Sequence, residues 1–387
     1  ADVINIIDYR GRTPPYSQDG IPHIRSSNIK NGRVRWEDLS YVTQETYDAY
    51  MTRGIPMDGD VLFTTEAPLG QVSLAPKIKF SIAQRLMILQ PDRNILMPLF
   101  LMYQIMSSKF QGLICRRGTG TTVTGVSSKN FRPTPVILAP VEEQTRIVSE
   151  IEKQFTRLDS AEAALHSARR RLNRYRSAVL RDASVGRLVP TAGGWEESTL
   201  ERLCSLGRTC AYGVLQPGSD VQSGVNFIRV GDIYDGRIET ANLKKIATHI
   251  SSQYKRTILH GGELLITLVG TIGRTAVVPP ALAGANTARA VGVIPLGDRV
   301  LPEWVNIWFQ NPIKIREIEG QAHEVARKTL NLEDVRKTVV LIPPLPEQHR
   351  IVAEVERRLS VVEKLEASIE QNLKRAARMR QSILHRA

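Results

Sequence analysis

The stretch Glu143-Gln144-Thr145-Arg146-Ile147-Val148-Ser149-Glu150-Ile151-Glu152 returns as Glu347-Gln348-His349-Arg350-Ile351-Val352-Ala353-Glu354-Val355-Glu356, with seven of ten positions identical at an offset of 204. Agreement of that density marks an internal repeat, and the offset holds in both directions. Downstream, Arg176-Ser177-Ala178-Val179-Leu180 falls on Arg380-Gln381-Ser382-Ile383-Leu384; upstream, Ile24-Arg25 falls on Ile228-Arg229. At an offset of 203, Gly59-Asp60-Val61-Leu62 meets Gly262-Glu263-Leu264-Leu265, Gly70 meets Gly273 and Pro76 meets Pro279. The chain therefore reads as a tandem duplication, each copy a diverged globular part followed by a closely similar helical part. Ala1 aligns with Ser205, so the lead-in Trp195 to Cys204 has no counterpart in copy one, and a short stretch ahead of Ala1 is expected to be missing.

In the helical part of copy one, Ile151, Phe155, Leu158, Ala161, Leu165, Ala168, Leu172, Tyr175 and Val179 recur at spacings of three and four, with Glu, Lys and Arg on the other faces. That periodicity is helical. The equivalents in copy two are Val355, Leu359, Val362, Leu365, Ile369, Asn372, Ala376, Met379 and Ile383. A helix of about 35 residues, roughly 50 Å long, cannot hide such a stripe inside a small domain. It needs a partner helix, and the other copy is the expected one, paired antiparallel; packing of each helix on its own globular part is the alternative.

The globular parts share a plan. Each opens with an extended run (21–29; 225–233), turns at Asn31-Gly32 or Asp235-Gly236, and later presents an apolar strand at Val61-Leu62-Phe63 or Leu264-Leu265-Ile266. Apolar helices are expected over 97–106 and 301–309, each opened by a proline, Pro98 or Pro302. The fold class read from this is α+β: two similar mixed α/β domains joined by two long antiparallel helices in a coiled-coil rod with pseudo-twofold symmetry. The expected boundaries are 1–142 for the first globular domain, 143–183 for its helix, 184–346 for the linker and second domain, and 347–387 for the second helix.

Composition narrows the function. A chain of 387 residues exceeds the usual single-domain size, and 42% hydrophobic with 24% charged residues is ordinary for a folded protein. No apolar run reaches the roughly 18 residues of a membrane-spanning helix, and residues 1–10 carry Asp2 and Asp8 where a secretory signal would be basic and then apolar. A cytoplasmic location is the expectation. Three Cys without a C-x-x-C pair argue against a disulfide framework and a structural zinc site. The balance of 52 Lys and Arg against 39 Asp and Glu gives a net charge of +13, and a polyanion is the expected partner. Arg outnumbers Lys 38 to 14, and its planar fork grips phosphate or a guanine edge at two points.

Catalytic signatures are missing from the sequence. Thr13-Pro14-Pro15-Tyr16 is similar to the Asn/Asp-Pro-Pro-Tyr loop of amino-methyltransferases, but Thr replaces the residue that accepts hydrogen bonds from the target amine. None of the 14 Lys has an acidic residue two positions before it, as metal-dependent nucleases commonly do. Gly118-Thr119-Gly120 with Gly125 fits neither dinucleotide nor Walker spacing, and the chain has no H-E-x-x-H and no G-x-S-x-G. No catalytic residue and no metal ligand is assigned.

Both copies end in Pro-x-x-Glu-Gln-x-Arg-Ile-Val (140–148 and 344–352), each followed by a long charged helix. This arrangement, over essentially the whole chain, resembles the specificity subunits of Type I restriction-modification systems. The turn-and-strand pieces Gly262 to Thr267 with Gly270 to Gly273, and Glu66 to Gly70, are similar to recurring pieces of their target recognition domains. The resemblance implies a non-catalytic, DNA-binding subunit of a DNA adenine methyltransferase and site-specific deoxyribonuclease complex. Each of two target recognition domains would bind one half of a bipartite, asymmetric double-stranded DNA target, with the helices as a ruler and methyltransferase subunits, two by symmetry, docked on them. S-adenosylmethionine would sit in those partners, and ATP and Mg in further restriction/translocase subunits; no cofactor is expected in this chain. The alternatives are the recognition subunit of a system whose methyltransferase and nuclease are fused, and a protein-only coiled-coil adaptor.

On this reading the expected DNA-contacting residues in copy one are Arg25, Asn28 and Lys30 after the first strand, and Arg116, Arg117, Thr119, Thr121 and Thr122 in the Gly-rich loop. In copy two they are Arg229, Asp232 and Tyr234, then Thr271 and Arg274, then Arg327 and Lys328. The expected partner-docking residues are Glu143, Gln144 and Arg146, with Glu347, Gln348 and Arg350.

Overall fold

The computed structural model describes residues 3–119, 124–191, 193–320, 323–324 and 328–386, with the backbone alone at 323, 324 and 328. It divides into two compact units, residues 1–166 with 370–387 and residues 167–369, so that each unit owns one lobe and part of each long helix.

In unit one, Val61–Thr64 is the strand on which the lobe is built, because all four of its side chains are buried. Such a strand must be covered on both faces. It lies inside an antiparallel sheet of order Ile4–Asp8, Leu86–Pro91, Val61–Thr64, Val72–Leu74. Alternate residues serve alternate faces, as the strand period requires. Val61, Phe63, Met87 and Leu89 meet the helix Pro98–Met106 through Phe100, Leu101 and Ile105. Leu62, Leu86 and Ile88 meet Tyr9, Ile24 and Tyr50 of a second layer. That layer is a three-stranded sheet in which Ile21–Ile24 pairs antiparallel with Ser40–Val42 and parallel with Ser81–Ile82.

Unit two repeats this topology strand for strand. Its four-stranded sheet runs Ala211–Tyr212, Val291–Ile294, Leu264–Thr267, Thr275–Val277, and its three-stranded sheet runs Lys244–Ile246, Val225–Ile228, Asn286–Thr287. Leu264 and Ile266 face the helix Pro302–Phe309, while Leu265 faces Ile228 and Ile233. Among the described residues unit two adds two pairings, Glu196–Thr199 against Val339–Ile342 and His323–Glu324 against Lys328–Thr329.

The long helices are Val141–Ser184 and Leu345–Arg386. They pair antiparallel within each unit. In unit one, Val148, Ile151, Phe155 and Leu158 share a core with Ala376 and Leu384, and Arg380 pairs with Asp159 and lies over the Phe155 ring. In unit two, Val179, Leu180 and Ala183 share a core with Ile351, Val352 and Val355, and Arg176 pairs with Glu366 at 3.1 Å. Arg176 and Arg380 are equivalent at the repeat offset, so each lobe ties the same two helix segments together by the same kind of pair. The helices also pack on their own lobes, with Tyr103 edge-on to Phe155 at 5.6 Å.

The seam departs from the expected one. Ala161, Tyr175, Leu365, Asn372 and Met379 are exposed, while Val355, Val362, Ile369 and Ala376 are buried. Those four belong to the expected seam and recur every seven residues, as a narrow helix-helix contact demands; Leu365, Asn372 and Met379 between them lie beside the contact instead of in it.

Candidate nucleic-acid interface

The turn after the first strand has the same backbone plan in both copies, a 3-10 turn closed on the preceding Arg N–H. Arg25 precedes a 3-10 turn, Ser26–Asn28, and Asn28 Oδ1 accepts from the Arg25 backbone N–H at 3.0 Å while its Nδ2 donates to the Glu37 carbonyl. In copy two Asp232 Oδ2 accepts from the Arg229 N–H at 2.8 Å, and its carboxylate also grips the Arg229 guanidinium, holding that side chain's pKa above the usual Arg value. Asn28 and Asp232 are thus buried and turned inward, occupied in shaping the turn. Arg25 donates to the Asp38 carbonyl, and Lys30 stands exposed one step beyond. The residue at Lys30's place in copy two is Tyr234, an exposed ring with the Arg274 guanidinium over it at 5.2 Å.

Thr271 is exposed at the tip of a turn closed by Thr267, whose Oγ1 accepts from the Arg274 N–H at 3.0 Å. Thr64 and Gln71 close the copy-one turn in the same way. In the Gly-rich loop, Arg116 is exposed at the end of the helix Ser108–Arg117, Arg117 donates to the Pro133 carbonyl, and Thr119 is exposed with its backbone paired to Gly125. Thr121, Thr122 and Arg327, and the Lys328 side chain, lie outside the described residues.

The structure gathers further cations that sequence reading missed. Arg10, Arg12 and Arg53 are exposed around Tyr9 and Tyr50: Arg53 donates to the Asp8 and Arg10 carbonyls, Arg12 lies over the Tyr50 ring, and Arg10 reaches the Val126 carbonyl beside the Gly-rich loop at 2.7 Å. Burial pushes the Tyr50 hydroxyl up to about 12, so it stays protonated, donating to the Arg12 and Ile82 carbonyls. In unit two an open cleft of about 760 Å³ is lined by Lys255, Arg256, Arg336, Tyr212, Tyr254 and Asn331. Arg256 is the equivalent of Arg53 at the 203 offset, the one signal that could have found either.

The expected docking residues divide sharply. Gln144 is fully buried: its Oε1 accepts from the Met97 N–H at 2.8 Å and its Nε2 donates to the Ile95 and Ala139 carbonyls, each at 2.7 Å. Gln348 repeats the clamp on Leu301, Arg299 and Pro343. Glu347 is buried too, its Oε1 accepting from the Trp195 indole at 2.8 Å, whereas Glu143 is exposed. Arg146 and Arg350 are exposed in both copies. Gln144 and Gln348 therefore fasten the start of each long helix to the start of its lobe's apolar helix, which explains the return of the glutamine in both copies.

Duplicated mixed lobes, each followed by a long helix, define a class, the tandemly duplicated two-lobed proteins. The sequence matches the family of the Type I restriction modification DNA specificity domain over residues 1–166 and 193–375, and the chain belongs to that family. It is 34% identical over 288 residues to the specificity subunit of the Type I restriction enzyme EcoBI of Escherichia coli, a match spanning 70% of this chain and 60% of that protein. It is 22% identical over 392 residues to the EcoKI specificity subunit of Escherichia coli strain K12, across 95% of this chain and 82% of that one. Among solved structures it resembles a chain from work on complex assembly and conformational transition of the type I R-M system, with a TM-score of 0.75 at 17% identity over 100% of this chain and 97% of that one. The HsdS subunit from Thermoanaerobacter tengcongensis follows at 0.54 and 18%, covering 99% and 96%. Both likenesses show the fold.

Proposed function

We propose that this specificity subunit reads a bipartite, asymmetric double-stranded DNA target, one half-site per lobe, and that methyltransferase subunits dock on the exposed faces of its helices. Restriction/translocase subunits complete the assembly, and S-adenosylmethionine, ATP and Mg belong to the partners. The observation that carries this reading is the contrast within the duplication. The two lobes share every sheet pairing of the basic plan yet present different side chains at equivalent places, Lys30 against Tyr234, both exposed, and Gln71 against Arg274, both half-buried. The helices keep Arg146 and Arg350 identical and exposed. Divergent lobes suit two different half-sites; an identical surface suits one kind of partner met twice.

Arg116, Arg117, Lys30 and the Arg10–Arg12–Arg53 group are assigned to phosphate and base contact in the first half-site, and Arg229, Tyr234, Thr271, Arg274 and the Lys255–Arg256 cleft to the second. Replacing Arg116 and Arg117 by Ala is expected to weaken binding to all sequences and to flatten the log-log salt dependence by about one unit for each phosphate no longer neutralised. Unchanged affinity and slope would remove that loop from the interface. Co-purification with a methyltransferase, followed by mapping of methylated adenines, tests the whole reading. Normal assembly after Arg146→Glu with Arg350→Glu would sink the docking surface.

A further inference from the structure

The chain has no C-x-x-C pair, yet folding brings two of its three cysteines together in unit two. Cys204 and Cys210 stand at the two ends of the loop 205–209, with their Sγ atoms 3.7 Å apart. Each end of that loop is fixed by its own element. Cys204 ends the helix Leu200–Leu203, and the Ser205 N–H after it donates to the Pro295 carbonyl at 2.8 Å. Cys210 leads into the strand Ala211–Tyr212, and its carbonyl accepts from Arg336 Nη2 at 2.8 Å. Between them Leu206 is wholly exposed and Gly207 takes a φ of +78°, a left-handed value that lets the chain turn back. The backbone on both sides therefore holds the sulfurs in contact.

Packing does not ask for a thiol here. The place of Cys210 in copy one is Ile6 of the strand Ile4–Asp8, so an apolar side chain fills the same position. The two sulfurs also differ in environment: Cys204 is half-buried, whereas Cys210 is 2% exposed. The Cys204 S–H donates to the Leu200 carbonyl at 3.4 Å, which leaves the Cys210 S–H to donate to Cys204 Sγ. That bond holds the Cys204 thiol below its usual pKa; the same bond, together with burial, pushes Cys210 up. The Arg336 guanidinium adds a positive charge beside both. A partly accessible thiol that ionises readily, next to a second thiol, is the arrangement that oxidants attack.

We propose that Cys204 and Cys210 form an oxidation site that takes a hydroperoxide as its substrate and closes to an intramolecular disulfide. The Cys204 thiolate attacks a peroxide oxygen and the O–O bond breaks. Cys204 becomes the sulfenic acid, and the departing alkoxide or hydroxide takes up a proton as alcohol or water. Cys210 Sγ then attacks Cys204 Sγ: the S–S bond forms, the S–O bond breaks, and the departing hydroxide takes the Cys210 proton as water. Two thiols give up two electrons and one peroxide is reduced. Contact between the sulfurs makes the second step intramolecular, ahead of further oxidation of Cys204. The site stands in the wall of the Lys255–Arg256 cleft, which Cys210, Tyr212 and Arg336 also line.

The test treats the full chain carrying Cys115→Ser, which removes the exposed thiol of unit one, with a small excess of hydrogen peroxide. Free thiols are expected to fall from two to none and the intact mass to drop by two hydrogens, both restored by dithiothreitol. Trypsin cuts after Arg202, Arg208 and Arg229, so the oxidised chain is expected to yield peptides 203–208 and 209–229 joined to each other. With Cys210→Ser added, the reaction is expected to stop at the sulfenic acid, read as a dimedone adduct that the parent chain does not form. With Cys204→Ser added, loss of the Cys210 thiol is expected to slow about ten-fold. Both thiols left intact, at a peroxide concentration that consumes Cys115 in the unsubstituted chain, would overturn the proposal. So would a bridge between two chains on a non-reducing gel, or sulfinic acid on Cys204 without the joined peptides. The deciding measurement is made with both cysteines present, so misfolding of a serine variant cannot imitate either result.

Discussion

Gln144 shows how one side chain decides the geometry of a whole helix. Its amide satisfies three backbone groups on segments 47 to 49 and 5 residues away, and a buried group left unpaired costs about 1–3 kcal/mol. Gln144→Ala is therefore expected to lower stability by roughly 2–4 kcal/mol, read by urea unfolding, and Gln348→Ala to do the same in unit two. His23 is the second such residue. It is enclosed between Tyr16 and Tyr50, with Nδ1 at 2.7 Å from Ser81 Oγ, and burial with the nearby Arg25 pushes its pKa down to about 4 from 6.5. The unfolded chain then binds the proton more readily than the folded one, so the contribution of neutral His23 is full above about pH 6.5 and is lost as pH falls toward 4. Melting of the wild type is expected to drop across that window, and His23→Gln, which does not titrate, to show a shallower drop; equal slopes would contradict it.

At the scale of the element, the long helices show that composition and contact are separate matters. Leu365 and Ile369 are both apolar and four residues apart, yet Leu365 is 47% exposed and Ile369 is 8% exposed. Ile369→Asp is expected to cost on the order of 3 kcal/mol or more, because a charge enters a dry contact. Leu365→Asp is expected to stay within about 0.5 kcal/mol. Thermal melts of the two variants followed by far-UV circular dichroism distinguish the observed seam from the one read off the sequence. A periodicity of three and four identifies a helix and its apolar side; it does not fix the phase, since a partner helix touches a strip narrower than the apolar face. Here the strip follows Val355, Val362, Ile369 and Ala376, and the residues left over sit at the solvent margin.

Across the whole molecule the proposed mechanism is modular, because each lobe closes its own two sheets and owns its own core. Exchanging residues 1–140 for the lobe of a relative is expected to change one half of the DNA target and leave the other half and the spacer intact. Inserting four residues, one helical turn, near Leu165 or near Ile369 is expected to lengthen the spacer with both halves unchanged. Methylation mapping reads both outcomes. A continuous target, or a swap that alters both halves, would end the two-reader mechanism.

The duplication, the all-buried central strands, the proline-opened helices and the long helices were legible in the sequence because each is written in local order: an offset, an alternation, a spacing. The candidate site was legible only in part. Arg116, Lys30, Thr271 and Tyr234 are exposed, but Asn28 and Asp232 turn inward to close their own turns, and Gln144, Glu347 and Gln348 are consumed by packing. Tertiary structure alone decided these, and it alone brought Arg53 to Tyr9, 44 residues away, through the Arg53 N–H on the Tyr9 hydroxyl at 2.8 Å. The reason is physical. A polar side chain is equally at home in water or in a satisfied buried bond, so its residue type cannot say which; only the closure of the sheets, by placing a carbonyl or an N–H within reach, makes that choice.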